Sequence, residues 1–132
     1  MIRIIILDDH KLFIDGLISS FKHNSEVSII DYALDGFTVL AKIKLHQPDV
    51  VLLDIDFSKT HESGLTILKD IKQNFSGIKV IILTGHCDQG LIEQIKKAGA
   101  DGYRVKNIDT NELLQTIIDV YYGQIVFKYE ST

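Results

Sequence analysis

The chain alternates between short apolar runs and longer stretches whose apolar residues recur every three or four positions. The clearest run is Val50-Val51-Leu52-Leu53, which leads straight into Asp54 with no polar alternation. That pattern predicts a strand buried on both faces of a parallel sheet. Largely apolar runs at Ile2–Leu7, Val27–Ala33 and Val80–Thr84 predict three more strands, and the short stretch Gly102–Val105 a fifth. Between and after them the spacing is helical. The first helix carries Leu12, Phe13, Leu17, Ile18 and Phe21, and Asn24-Ser25 ends it. The second carries Val39, Leu40, Ile43 and Leu45, and Pro48 closes it off without costing the sheet a hydrogen bond. After a polar loop from Ser58 to Gly64, a third runs from Leu65 with Leu68, Ile71 and Phe75. A fourth holds Leu91, Ile92, Ile95 and Ala98 and stops at Gly99. The fifth starts with Asp109 or Thr110 as N-cap, holds Leu113, Leu114, Ile117, Ile118 and Val120, and ends at Gly123.

Five strands strictly alternating with five helices predict a (βα)5 doubly wound parallel sheet with right-handed crossovers. Two helices on one face and three on the other give the flavodoxin-like strand order 2-1-3-4-5, in which strands 1 and 3 are neighbours at the switch point. Residues 1–123 make up this domain. Residues 124–132 alternate weakly at Ile125, Phe127 and Tyr129, and read as a C-terminal tail, a linker or a short exposed strand.

Composition narrows the class. The chain has 132 residues, 45% apolar and 24% charged, with a net charge of −4; this is a globular domain with one core. The sequence pI of about 5.6 gives no global positive field for nucleic acid or an anionic membrane. Neither a Lys/Arg stripe nor a helix-turn-helix pattern stands beside the five helices, so no DNA binding is expected of this domain alone. The single cysteine, Cys87, excludes an internal disulfide and a cysteine-based zinc site; it reads as an inert residue near a strand end. No apolar stretch approaches a membrane span, and the run Ile4–Leu7 is too short for a signal-peptide core, so the expected location is cytoplasmic.

The residues at the strand ends carry the chemistry. Strand 1 ends in Asp8 and Asp9, strand 3 in Asp54, strand 4 in Thr84 and strand 5 in Lys106. Ligands of open α/β sheets bind at this rim. Three carboxylates gathered without a cation repel one another and raise each other's pKa. A Mg²⁺ ion relieves that, since it takes one or two carboxylates together with water and phosphate oxygens. Lys106 offers a positive charge and Thr84 a hydroxyl, both suited to the oxygens of a transferred phosphoryl group. Asp54, in the middle, is placed to act as nucleophile and form an aspartyl phosphate. Singly, each residue has an ordinary role: a helix cap, a strand-end threonine, a solvated lysine. Their coincidence on one rim is the signal.

This set resembles the response-regulator receiver domain of two-component signalling, from Met1 to about Gly123. The resemblance rests on the acidic pair followed by His10, on Asp54, on Thr84-Gly85 and on Lys106. It implies that Asp54 is phosphorylated by a sensor histidine kinase, and that Asp8, Asp9, Asp54 and the Asp56 backbone carbonyl hold Mg²⁺. Asp9 is implied as the direct ligand, with Asp8 acting partly through water. It also implies a switch pair, Thr84 and Tyr103, with Tyr103 turning inward on phosphorylation and the 84–122 surface changing self-association or partner binding. A homodimer formed on phosphorylation is one such output. The start Ile4-Ile5-Ile6-Leu7-Asp8-Asp9-His10 with Gly16-Leu17, and the end Val120-Tyr121-Tyr122-Gly123, are similar to the NarL/LuxR-type subgroup. Its members usually act in transcription through a C-terminal helix-turn-helix domain, which does not follow here.

The chain departs from the family pattern at two further points. Phe57-Ser58 replaces the usual Met-Pro, with a loop about two residues longer, and Asn107 follows Lys106 where a cis proline is usual. A cis bond before a non-proline would cost about 3 kcal/mol. Two rival readings follow from the same residues. Asp54-Ile55-Asp56-Phe57-Ser58 resembles the D-x-D-x-[S/T] motif of haloacid-dehalogenase-like phosphatases, with Asp54 as nucleophile and Asp56 as acid/base. The missing Met-Pro suggests a degenerate receiver acting only as a binding module. Finally, Asp56 and His86 stand two residues beyond Asp54 and Thr84, where receivers tune the lifetime of the phosphoryl group. An ion pair between them over the site would open as His86 loses its proton.

Overall fold

The computed structural model describes residues 1–56, 61–85 and 88–128, with the backbone alone given for 61–63. Its elements are β1 Ile2–Leu7, α1 Lys11–Phe21, β2 Val27–Ala33, α2 Gly36–His46, β3 Val50–Asp54, α3 His61–Asn74, β4 Lys79–Thr84, α4 Gln89–Lys97, β5 Gly102–Val105, α5 Thr110–Tyr121 and β6 Val126–Phe127. Every strand pair is parallel, in the order β2-β1-β3-β4-β5-β6. The expected order 2-1-3-4-5 is therefore present, with one more strand at the β5 edge.

Side-chain direction alternates along each strand, so each apolar run feeds two clusters, one on each side of the sheet, where the composition suggested one core. Ile5, Leu7, Val51, Leu53, Val80 and Ile82 pack under α2, α3 and α4. Ile4, Ile6, Val50, Leu52, Ile81 and Leu83 face the other way, with Ile14 and Leu17 of α1 and Leu113, Ile117 and Val120 of α5. All five residues of β3 are buried, as a strand covered on both faces must be. Asp35, Asp88 and Asp109 cap α2, α4 and α5 by accepting from the N–H groups of Thr38, Leu91 and Asn111.

Three details differ from the sequence pattern. Helix α3 begins at His61 and not at Leu65; its first turn carries no apolar periodicity because Gly64, not a large side chain, meets the sheet there. The weakly alternating tail provides a paired strand, β6, with Val126 and Phe127 half-buried. No cis peptide bond occurs among the described residues, so Lys106-Asn107 is trans.

Gly64 sets how closely α3 approaches the end of β3. A β-carbon there would overlap the Ile55 carbonyl oxygen and stand 2.8 Å from Ile55 Cδ1. Backbone cannot yield as a side-chain tip can, so Gly64→Ala should cost about 1–3 kcal/mol. It should also displace the residues just beyond Asp54. Urea denaturation, together with chemical-shift changes at Asp54 to Asp56, checks both effects.

Candidate functional site

Strand register delivers the site. Leu7 pairs with Leu53, so Asp8 and Asp54 leave neighbouring strands at the same level. Asp54 pairs with Leu83, and Thr84 with Val105. The Lys106 N–H then donates to the Thr84 carbonyl at 2.8 Å, which fixes where the lysine leaves the sheet. The apolar strands thus drive three carboxylates, a hydroxyl and an ammonium onto one rim.

Asp8 and Asp54 are almost fully buried, at 1% and 2% exposed. Lys106 Nζ lies 2.6 Å from Asp8 Oδ2 and 3.3 Å from Asp54 Oδ2, so one ammonium serves both. The same Nζ stands 4.7 Å from the centre of the Phe13 ring, a cation–π contact. The other oxygen of Asp8 accepts from the His10 N–H at 2.8 Å. His10 Nδ1 lies 3.1 Å from Asp8 Oδ1 and 3.2 Å from Asp9 Oδ1. Asp54 Oδ1 accepts from the Asp56 N–H at 3.1 Å, and the buried Thr84 hydroxyl donates to Asp56 Oδ2 at 3.2 Å.

Burial, and next the charge of Asp8, push the Asp54 carboxyl up to about 6; the Asp56 N–H and Lys106 pull it partly back. The site is therefore short of positive charge. Among the described residues, Asp8, Asp9, His10 and Asp54 each offer a ligand atom, all within 4.8 Å of one another. The hard carboxylate oxygens in this set fit a divalent cation such as Mg²⁺.

The expected site residues Asp8, Asp9, Asp54, Thr84 and Lys106 come together at the rim. Asp8 is the buried member of the acidic pair and the one bound to Lys106, whereas the Asp9 side chain is 30% exposed. Tyr103 is already fully buried, on the α3–α4 side of the sheet. His86 and Cys87 lie outside the described residues, and the expected Asp56–His86 pair with them. Sequence reading did not assign His10 or Phe13 to the site. The signal for both was positional: His10 directly follows the acidic pair at the N-cap of α1, and Phe13 is three residues further on.

A doubly wound sheet with this acidic rim defines the receiver class. The chain belongs to the response-regulator receiver family: residues 4–118 match the family described as "Response regulator receiver domain". Its relatives place it among NarL/LuxR-type regulators. It is 31% identical over 121 residues to the oxygen regulatory protein NreC of Staphylococcus carnosus, covering 92% of this chain and 55% of that protein. It is 32% identical over 132 residues to the transcriptional regulatory protein LnrK of Bacillus subtilis, covering 100% of this chain and 59% of the relative. The chain thus spans little more than half of these relatives. Among solved structures, it matches the receiver domain of the NarL response regulator of Mycobacterium tuberculosis with a TM-score of 0.85 and 26% identity, covering 93% of this chain and 98% of that one. A LuxR-family DNA-binding response regulator from Staphylococcus aureus matches with a TM-score of 0.82 and 27% identity, covering 92% and 99%. Proteins of this family are signalling proteins whose receivers are phosphorylated by histidine kinases. The phosphatase-like motif would need Asp54 to close the first strand of its domain; it closes the third.

The charge crowding has a measurable cost. Asp54 titrates near 6 when folded, against 3.8 when exposed, so folding favours its protonated form. The resulting penalty is absent below about pH 4, grows as pH rises toward about 6, and is complete above that. With divalent cations chelated, Asp54→Asn should be more stable than wild type at pH 7 by on the order of 2–3 kcal/mol. That advantage should vanish below about pH 4. Denaturant titrations at both pH values check it, and an equal gain at both would contradict the assignment.

Proposed function

We propose that Asp54 accepts a phosphoryl group from the phosphohistidine of a sensor kinase, and that this controls the surface formed by residues 84–122. The observation that carries the reading is the buried Asp54 carboxylate, which shares the Lys106 ammonium with the buried Asp8. An Asp54 oxygen attacks phosphorus, the P–N bond breaks, and the imidazole leaves with its electron pair and gains a proton. The Lys106 ammonium follows the charge onto the phosphoryl oxygens, and the Thr84 hydroxyl turns from Asp56 toward them. Asp8, Asp9, Asp54 and the Asp56 carbonyl would hold Mg²⁺, which when bound neutralises phosphoryl charge that Lys106 alone cannot balance. With a pKa near 6, Asp54 is largely ionised, and so nucleophilic, at neutral pH.

Withdrawal of Thr84 from Asp56 would propagate through β4 and β5 to Tyr103 and the helices beside it, shifting the population of two surface states. A homodimer formed on phosphorylation is one output of that shift; transcription through a DNA-binding module joined to the receiver is the other, and relatives described as a transcriptional regulatory protein and a DNA-binding response regulator support it. The reaction takes place in the cytoplasm, where the kinase domain and its ATP are found. Asp56, next to both Asp54 and Thr84, is the described residue best placed to influence how long the phosphoryl group survives.

Incubation with acetyl phosphate and Mg²⁺ should add one phosphoryl group per chain by intact mass. Chelation should abolish the gain, and Asp54→Asn should lose it entirely. Labelling that persists in Asp54→Asn would move the acceptor elsewhere.

The domain by itself should not engage DNA, given its net charge of −4. A salt-sensitive mobility shift of duplex DNA by this chain at physiological ionic strength would overturn that reading.

A further inference from the structure

The segment beyond α5 does more than trail away. Gly123 turns the chain with φ +100°, and the Gln124 N–H returns to the Asp119 carbonyl at 3.0 Å. β6 then lies along β5, its Val126 N–H donating to the Asp101 carbonyl at 3.1 Å and the Lys128 N–H to the Tyr103 carbonyl at 3.2 Å. Phe127 is in register with Tyr103, and their rings stack with centres 6.2 Å apart and planes 6° from parallel. Lys96 of α4 places its Nζ 5.3 Å from the centre of the Phe127 ring. Val126 packs with the α5 side of the sheet and Phe127 with the α4 side. Close approach is possible because β5 opens on a glycine: a β-carbon at Gly102 would come within 3.3 Å of the Val126 carbonyl oxygen. Residues 124–128 thus reach α4, β5 and α5 together, and bear on the buried ring of Tyr103.

We propose that this segment is a displaceable strap that holds Tyr103 in its buried position and couples the chain beyond Lys128 to the Thr84 side of the rim. A two-residue strand at the edge of the sheet belongs to the low-stability end of a fold, so it opens without unfolding the sheet. The ring and the strap then move as one equilibrium. Drawing Thr84 toward Asp54 favours the inward ring and tightens the strap. Pulling the strap away frees the ring and opposes that movement of Thr84, because coupling between two sites is reciprocal. The link to the rim rests on the phosphoryl-acceptor reading of Asp54; the grip of the strap on Tyr103 does not.

The test uses the whole chain and two variants. Phe127→Ala removes the stacked ring. Lys128→Pro removes the N–H bound to the Tyr103 carbonyl at an exposed position, without touching a core side chain. In both, NMR should show the Tyr103 ring moving to a solvent-exposed environment. Amide exchange should accelerate by at least about tenfold at Val126 in both variants and at Lys128 in Phe127→Ala, while Leu52 and Ile81 stay protected. Beryllofluoride with Mg²⁺ should slow exchange at the wild-type strap amides, and both variants should bind this mimic several-fold more weakly. A Tyr103 ring that stays buried in both variants overturns the strap. Exposed rings with unchanged affinity for the mimic overturn the coupling. If the mimic leaves Asp54 and Thr84 of wild type unshifted, the acceptor reading fails and the coupling with it, while the ring and exchange measurements still decide the strap.

Discussion

A single ammonium between two buried carboxylates organises this domain. Unit charges about 3 Å apart interact by about 5 kcal/mol at an effective dielectric near 20. The contacts of Lys106 with Asp8 and Asp54 are therefore strong, and they are sheltered from water. Yet one positive charge cannot balance two buried negative ones, and Asp9 adds a third at the margin. The strands leave no choice, since Asp8 and Asp54 are carried to the rim by Leu7 and Leu53, which are buried without exception. The imbalance is thus a consequence of folding, and it leaves the rim short of positive charge. In general, taking away one partner of a buried ion pair costs about 3–5 kcal/mol, so Lys106 has a structural duty at the rim.

The two-faced sheet separates duties. Even-numbered positions of β4 and β5 do not share a core: Ile82 looks toward α3 and α4, whereas Arg104 looks toward α5, where it meets Thr116 at 3.0 Å and Glu112 at 3.2 Å. Tyr103, one residue from Arg104, faces the opposite side. Residues facing the two sides of the sheet thus adjoin each other in β5, next to Val105, the register partner of Thr84.

Much of this was legible in the sequence, for physical reasons. Consecutive apolar residues such as Val50–Leu53 have one stable environment, a parallel sheet covered on both sides, and the strict alternation with helices left little freedom in topology. The rim followed, because residues that end successive parallel strands converge. What stayed hidden depended on local geometry or on tertiary contacts. Which of Asp8 and Asp9 turns inward is set by how the chain swings into α1, and hydropathy carries no trace of it. The first turn of α3 was read as loop because its helicity does not depend on apolar spacing. β6 has two residues, and most of its definition comes from Gly102 and Tyr103, more than twenty positions earlier. Tyr103 was expected to need a signal to turn inward, and in this structure its ring is already inside.

The ring of Phe13 beneath Lys106 has a practical consequence. The chain contains no tryptophan, so an indole placed at position 13 would be its only one. Phe13 is half-buried. An ammonium close to an indole changes its emission, and the distance between them would vary with whatever anion the lysine follows. The contact that steadies Lys106 is thus also the natural position for an optical gauge of the charge at the rim.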